Sequence, residues 1–193
     1  MKFFKTIWFK CIACLLILML FSGSSITILA DLLFVSPEMR TARAIKKIYG
    51  EEKEYTVILD ADKENPIIYD GVGEINKIYD VSGDMLFQST GYHGYKDGTI
   101  TLWIKAVKYG NGYAVDKVLL ETYEKQTLMG KLSGDFYDRF KITDITATYK
   151  DETFFSAKDK TADNYNPVSG ATYSATAACN AVNCVIRYLG SEK

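Results

Sequence analysis

From Tyr55 onward the apolar residues fall into a spacing of two, in short runs separated by turn residues. No other feature constrains the chain as strongly. A half-buried strand puts alternate side chains inside, and strands joined by tight turns must pair antiparallel. The runs Tyr55–Leu59, Ile75–Val81, Met85–Thr90, Ile100–Lys108 and Tyr113–Glu121 are read as strands. Ser82-Gly83-Asp84 and Gly110-Asn111-Gly112 connect neighbouring runs, and glycine and asparagine tolerate the positive φ that hairpin turns require. A mainly antiparallel, twisted sheet is expected.

Helical patterns flank these runs, so the fold class predicted is α+β, a sheet flanked by helices. Ser36-Pro37-Glu38 supplies a capping hydroxyl, a proline for the first helical position and an early carboxylate. Met39, Ala42, Ile45 and Ile48 follow at helical spacing, and Gly50 closes the element. Leu128, Leu132, Phe136 and Phe140 recur at fours within Gln126–Phe140, a helix that Ser133-Gly134-Asp135 interrupts. A last helix is predicted over Ser174–Leu189, with Ala178, Val182, Val185, Ile186 and Leu189 on one face and Gly190 as its stop.

Ahead of all this, Cys11 to Ala30 carries no charge. About 20 such residues, rising about 1.5 Å each, cover a hydrocarbon core of about 30 Å. Residues 1–35 are therefore read as a cytoplasmic N-terminus and a single transmembrane helix. Lys2, Lys5 and Lys10 hold the N-terminus inside, which leaves 36–193 as an extracytoplasmic domain of the cell membrane. A cleaved signal peptide is the competing reading, with Ser22-Gly23-Ser24-Ser25 after the first apolar run and Ala30 as the cleavage residue.

Composition excludes more than it proposes. With 23 basic and 24 acidic residues, the chain lacks the clustered basic face that nucleic acid requires. Cys11 and Cys14 have metal-site spacing but lie in the apolar run. Cys179 and Cys184 sit about 140° apart on the last helix, so they are read as buried free thiols. No metal site and no catalytic acid or base is expected; the acidic groups around Glu51 and Asp60 read as solvated turns. His93, the only histidine, reads as a polar loop residue, with proton transfer as the sharper alternative.

One stretch carries chemistry. Asn166-Pro167-Val168-Ser169-Gly170-Ala171-Thr172 runs into the last helix and places hydroxyls at a glycine turn that opens it. Free amides and the positive end of the helix dipole favour a phosphate there. A plain helix cap is the simpler reading of the same residues.

Ser169-Gly170-Ala171-Thr172 resembles the flavinylation motif of the FMN-binding domain family, found in the G subunit of Rnf electron-transport complexes and the C subunit of sodium-translocating NADH:quinone oxidoreductases. In that family the closing threonine of Ser/Thr-Gly-Ala-Thr carries FMN through a phosphoester, installed from FAD by a flavin transferase. The resemblance implies Thr172 as the attachment residue and Ser169, Gly170 and Ala171 as cofactor-binding. It extends to Gly91-Tyr92-His93-Gly94, similar to the family's Gly-Tyr-Gly-Gly. Gln126-Thr127-Leu128-Met129-Gly130 is similar to the Glu-Thr-Pro-Gly-Leu-Gly loop that lines the flavin, which implies Thr127 and Met129 as pocket residues. A second alignment puts Glu121-Thr122 at that loop. The chain departs from the pattern at Asn166, where the family has Asp, and at Tyr95, where it has proline.

What the resemblance implies is an electron-transfer subunit of a membrane-bound Rnf-type ferredoxin:NAD oxidoreductase, partnered by the other membrane subunits and matured by a flavin transferase. Two alternatives share the motif. One is a free-standing membrane-anchored FMN shuttle; the other is a flavin-free binding or assembly module of the same fold.

Overall fold

The computed structural model describes residues 36–146, 149, 153–162 and 164–191. The expected anchor, with Cys11 and Cys14, lies outside the described residues; within them no helix is long and apolar enough to cross a membrane. The chain divides into two compact units, Met1–Ala44 and Ile45–Lys193, with the boundary inside the first helix.

That helix, α1 (Pro37–Tyr49), begins as its sequence requires: Ser36 Oγ accepts from the Met39 amide at 3.2 Å, one turn in. Gly50 stops it at a φ of +82°, a conformation that costs glycine little. The expected apolar stripe is corrected at its first half. Met39 and Ala42 are exposed, whereas Ile45 and Ile48 are buried.

The second unit is built on β1 (Thr56–Asp60), β2 (Ile67–Tyr69), β3 (Gly73–Val81), β4 (Asp84–Gly91), β5 (Ile100–Tyr109), β6 (Gly112–Tyr123) and β7 (Ile142–Ile145). They form one sheet in the order β1-β3-β4-β5-β6-β7, with β2 also on β3, and every pair in it is antiparallel. All the strands expected from the spacing of two are present, to within two residues at each end. The β3–β4 turn places Ser82 and Gly83 at φ of +58° and +91°, and the β5–β6 turn places Gly110 at +56°. A separate parallel pair, β8 (Phe155–Ser156) with β9 (Asn164–Tyr165), had no counterpart in the sequence reading.

The segment Gln126–Phe140 is not one helix. It forms a 3₁₀ turn at Met129–Lys131, a single α-turn α2 (Gly134–Tyr137) and a second 3₁₀ turn at Asp138–Phe140. Leu132, Phe136 and Phe140 are buried as their spacing implied, and Phe140 meets Phe136 and Phe155 edge-on at ring distances of 5.1 and 5.0 Å. Leu128 is exposed instead.

The last helix, α3 (Thr172–Ser191), lies across β3, β4 and β5 and is longer at both ends than expected. Gly190 does not end it, because Gly190 is itself helical and buried. The helix approaches the sheet so closely that a Cβ at Gly91 would stand 1.9 Å from the Ala177 carbonyl oxygen. Small residues are therefore needed on both surfaces. Polar groups fix the register: Ser89 Oγ donates to the Ala181 carbonyl at 2.8 Å, and Asn180 Nδ2 to the Tyr92 carbonyl at 3.1 Å. Asn183, fully buried, behaves as a strand would toward Phe155, accepting from its amide at 2.8 Å and donating to its carbonyl at 2.9 Å. Cys179 and Cys184 are buried free thiols, each pushed by burial up to about 12. The opposite face of the sheet receives the second half of α1, where Lys117 Nζ donates to the Lys47 and Ile48 carbonyls.

Asn183→Ala leaves both Phe155 backbone groups without their partner in the core. It should cost about 2–6 kcal/mol in urea denaturation, at about 1–3 kcal/mol for each orphaned group. A loss under about 0.5 kcal/mol, within the range of an ordinary surface change, would mean that Phe155 finds other partners.

Candidate functional site

The turn before α3 is closed by the Ala171 amide donating to the Val168 carbonyl at 3.0 Å, with Gly170 third in the turn at a φ of +74°. A residue with a Cβ is strained there. The first helical bond runs from the Ala175 amide to the Ala171 carbonyl at 2.9 Å. Ala171 therefore stands at the capping position, and it has no side-chain oxygen to offer the first amides of the helix.

Hydroxyls follow closely. Ser174 Oγ donates to Gln126 Oε1 at 2.7 Å, and Thr176 Oγ1 to the Thr172 carbonyl at 2.8 Å. Thr172 is half-buried, and among the described residues nothing engages its hydroxyl. It borders a pocket of about 240 Å³ whose walls are Gly170, Ala171, Thr172, Tyr173 and Ser174 on one side and Tyr95, Thr127 and Leu128 on the other.

Gln126 holds the two sides together. Its Oε1 accepts from Ser174 Oγ and, at 3.1 Å, from the Tyr95 amide; its Nε2 donates to the Glu124 carbonyl at 3.0 Å. The loop around Tyr95 makes room for it through two glycines. A Cβ at Gly94 would stand 2.2 Å from Gln126 Nε2, and one at Gly98 would stand 2.6 Å from the same atom. Gln126 is buried, so its amide bonds act in a medium where an unpaired group is costly.

Of the residues that the sequence singled out, Gly170, Ala171, Thr172 and Thr127 come together at this pocket. Ser169 lies beside it, exposed, with its carbonyl accepting from Lys131 Nζ at 3.2 Å. Met129 turns away and packs, half-buried, against the core. Glu121 and Thr122 belong to β6 and do not line the pocket, so Thr127 is the threonine the fold brings to Thr172. His93 is outside as well, its Nε2 donating to the Gly71 carbonyl at 2.9 Å. The walls supplied by Tyr95, Leu128, Tyr173 and Ser174 were not anticipated as site residues.

No family model, curated protein or solved structure matches the chain. Geometry and chemistry alone therefore describe the site.

Asn166 opens the loop that leads to this turn. It is buried, its Oδ1 accepts from Arg139 Nη1 at 3.4 Å, and its Nδ2 has no partner among the described residues. A carboxylate there has no donor to leave unpaired and offers Arg139 a charged acceptor. The residue is not part of the pocket wall; the loop Asn166–Gly170 connects it to Thr172.

Gln126→Leu strands the Ser174 hydroxyl and the Tyr95 amide and should lower stability by about 2–5 kcal/mol, measured by denaturant unfolding. Asn166→Asp should raise stability at neutral pH by about 1 kcal/mol, because it removes an orphaned donor and charges the bond to Arg139. Unfolding curves of the two proteins side by side check this, and a destabilised Asn166→Asp would mean that burying the charge outweighs pairing it.

Proposed function

We propose that this protein is a membrane-anchored flavoprotein that carries FMN on Thr172 and serves as an electron-transfer subunit of an Rnf-type ferredoxin:NAD oxidoreductase. The observation that carries the reading is the Thr172 hydroxyl. Of the three aliphatic hydroxyls in the first helical turns, Ser174 and Thr176 are hydrogen-bonded and, among the described residues, that of Thr172 is not; it borders a pocket at an uncapped helix start. The resemblance of Ser169-Gly170-Ala171-Thr172 to the flavinylation motif names the group. The uncharged stretch Cys11–Ala30 supports an anchor, and Lys2, Lys5 and Lys10 before it support a domain outside the cytoplasmic membrane.

The residues present fit such a group. Gly170 brings bare backbone to the pocket wall beside Thr172, and the first amides of α3 are donors that Ala171 cannot satisfy. The pocket is smaller than most ligand pockets, so part of a flavin nucleotide would remain at the surface. Thr172 Oγ would attack the flavin-side phosphorus of FAD held by the transferase. The Oγ–P bond forms, the bond from that phosphorus to the bridging oxygen breaks, AMP leaves, and the hydroxyl proton passes to a base of the transferase. Nothing is oxidised or reduced in this step.

When bound, FMN supplies the redox chemistry, accepting and passing on electrons. The chain's own part is to hold and orient. Thr127 and Leu128 stand across the pocket from Thr172, and Tyr95 forms a further wall on a loop pinned by Gln126. The membrane subunits of the complex are the electron partners of this reading.

The test is the protein produced with a flavin transferase and run on a denaturing gel. Flavin fluorescence should survive denaturation, the intact mass should rise by FMN less water, and Thr172→Ala should abolish both. A wild-type chain with no added mass would overturn the reading.

A further inference from the structure

We infer that Lys131 is the cation that holds the phosphate on Thr172, a positioning residue of the flavin site; this rests on the flavin attachment proposed above. The chain places this lysine with care. It ends the 3₁₀ turn Met129–Lys131, directly after Thr127 and Leu128 of the pocket wall. The turn is closed by the Lys131 amide donating to the Leu128 carbonyl at 3.0 Å. From there the side chain crosses to the other wall, where Nζ donates to the Ser169 carbonyl at 3.2 Å.

Gly170 is what lets it lie there. A Cβ on Gly170 would stand 2.5 Å from Lys131 Nζ and 3.7 Å from its Cε, and nothing else lies within 4 Å of that position. The glycine of the motif thus serves two purposes, the positive φ of the turn and the seat of the lysine. Two residues before Thr172, an ammonium group is laid over the turn that presents the hydroxyl.

The charge is also unspent. Among the described residues no carboxylate comes within 4 Å of Lys131, whereas the ammonium groups of Lys77 and Lys105, for example, are each shared by two carboxylates. A lysine bonded only to a neutral carbonyl keeps two donors free. A phosphodiester between threonine and FMN retains one negative charge on its two unesterified oxygens, and the first amides of α3 meet that charge from one side. Lys131, bonded on one side of the turn at Ser169, would add a point charge with rotatable donors.

The experiment uses the full chain with its transferase and FAD, comparing Lys131→Met, Lys131→Arg and wild type by intact mass against time and by ³¹P resonance after prolonged labelling. Lys131→Met should be labelled about tenfold more slowly, in line with the loss of a charge-assisted bond. Its ³¹P resonance should be displaced from the wild-type position, and Lys131→Arg should restore both. Raised salt should slow wild type and leave Lys131→Met nearly unchanged. An exposed side chain at the end of a 3₁₀ turn leaves the unfolding midpoint where it was, which separates this role from a structural one. A ³¹P resonance in Lys131→Met identical to wild type overturns the inference, whatever the labelling rate, while leaving attachment at Thr172 intact. A wild type without flavin overturns both.

Discussion

The Ala177 carbonyl and the Ala181 amide of α3 lie where any side chain at position 91 would have to stand. The rest of the domain depends on that contact between helix backbone and strand backbone. It requires glycine on the strand and alanines on the helix, and it brings polar backbone so close to the sheet that side chains must satisfy what the approach leaves open. Ser89 does so at Ala181, Asn180 at Tyr92 and Asn183 at Phe155. Those bonds all leave one turn of the helix, Asn180 to Asn183, in different directions, so α3 cannot slide along the sheet or rotate without breaking several at once. A helix fixed in this way fixes its own start, and Thr172 is the first residue of that start.

The strands were legible because a half-buried sheet imposes alternation, and because Ser82-Gly83 and Gly110 announce their turns. The short elements were not. Ile67–Tyr69 is only three residues long, and Ile142–Ile145 buries its first and last residues, a pattern that mimics a helix as much as a strand. The spacing of fours at Leu132, Phe136 and Phe140 is a true record of burial, yet two 3₁₀ turns and a single α-turn achieve it. Spacing reports which residues face the core and leaves open the backbone that turns them there. The start of α3 was placed late because Ala171 is a poor cap and gives no stop signal. Its end was placed early because Gly190 was read as a terminator, when its missing side chain serves packing.

The site divides along the same line. Thr172 could be found from the motif, since a local run of residues makes the turn, the glycine and the hydroxyl. The opposite wall could not. Gln126 meets Ser174 across 48 positions of sequence, and Lys131 meets Ser169 across 38. Neither contact leaves a periodic trace, and Tyr95 is tied to the pocket by Gln126, which accepts from its amide. Conversely Met129, one residue from the pocket wall, turns to the core because the 3₁₀ turn rotates it there.

The dimensions of the pocket bear on why a ligand held here would be held by a bond. At about 240 Å³, walled largely by exposed side chains, the cavity offers little apolar area to hide from water, and burial is the main source of affinity for small molecules. A ligand kept by contact alone would exchange with the solvent. A tether on Thr172 changes what the walls must do: the second encounter becomes intramolecular, and its effective concentration is set by the length of the link. Tyr95, Leu128 and Tyr173 would then have only to choose an orientation for a group already held by its tether, a task that a shallow wall can perform. The close packing of α3 supplies rigidity, so the same Gly91 contact that organises the fold also limits how far Thr172 can wander from the wall it faces.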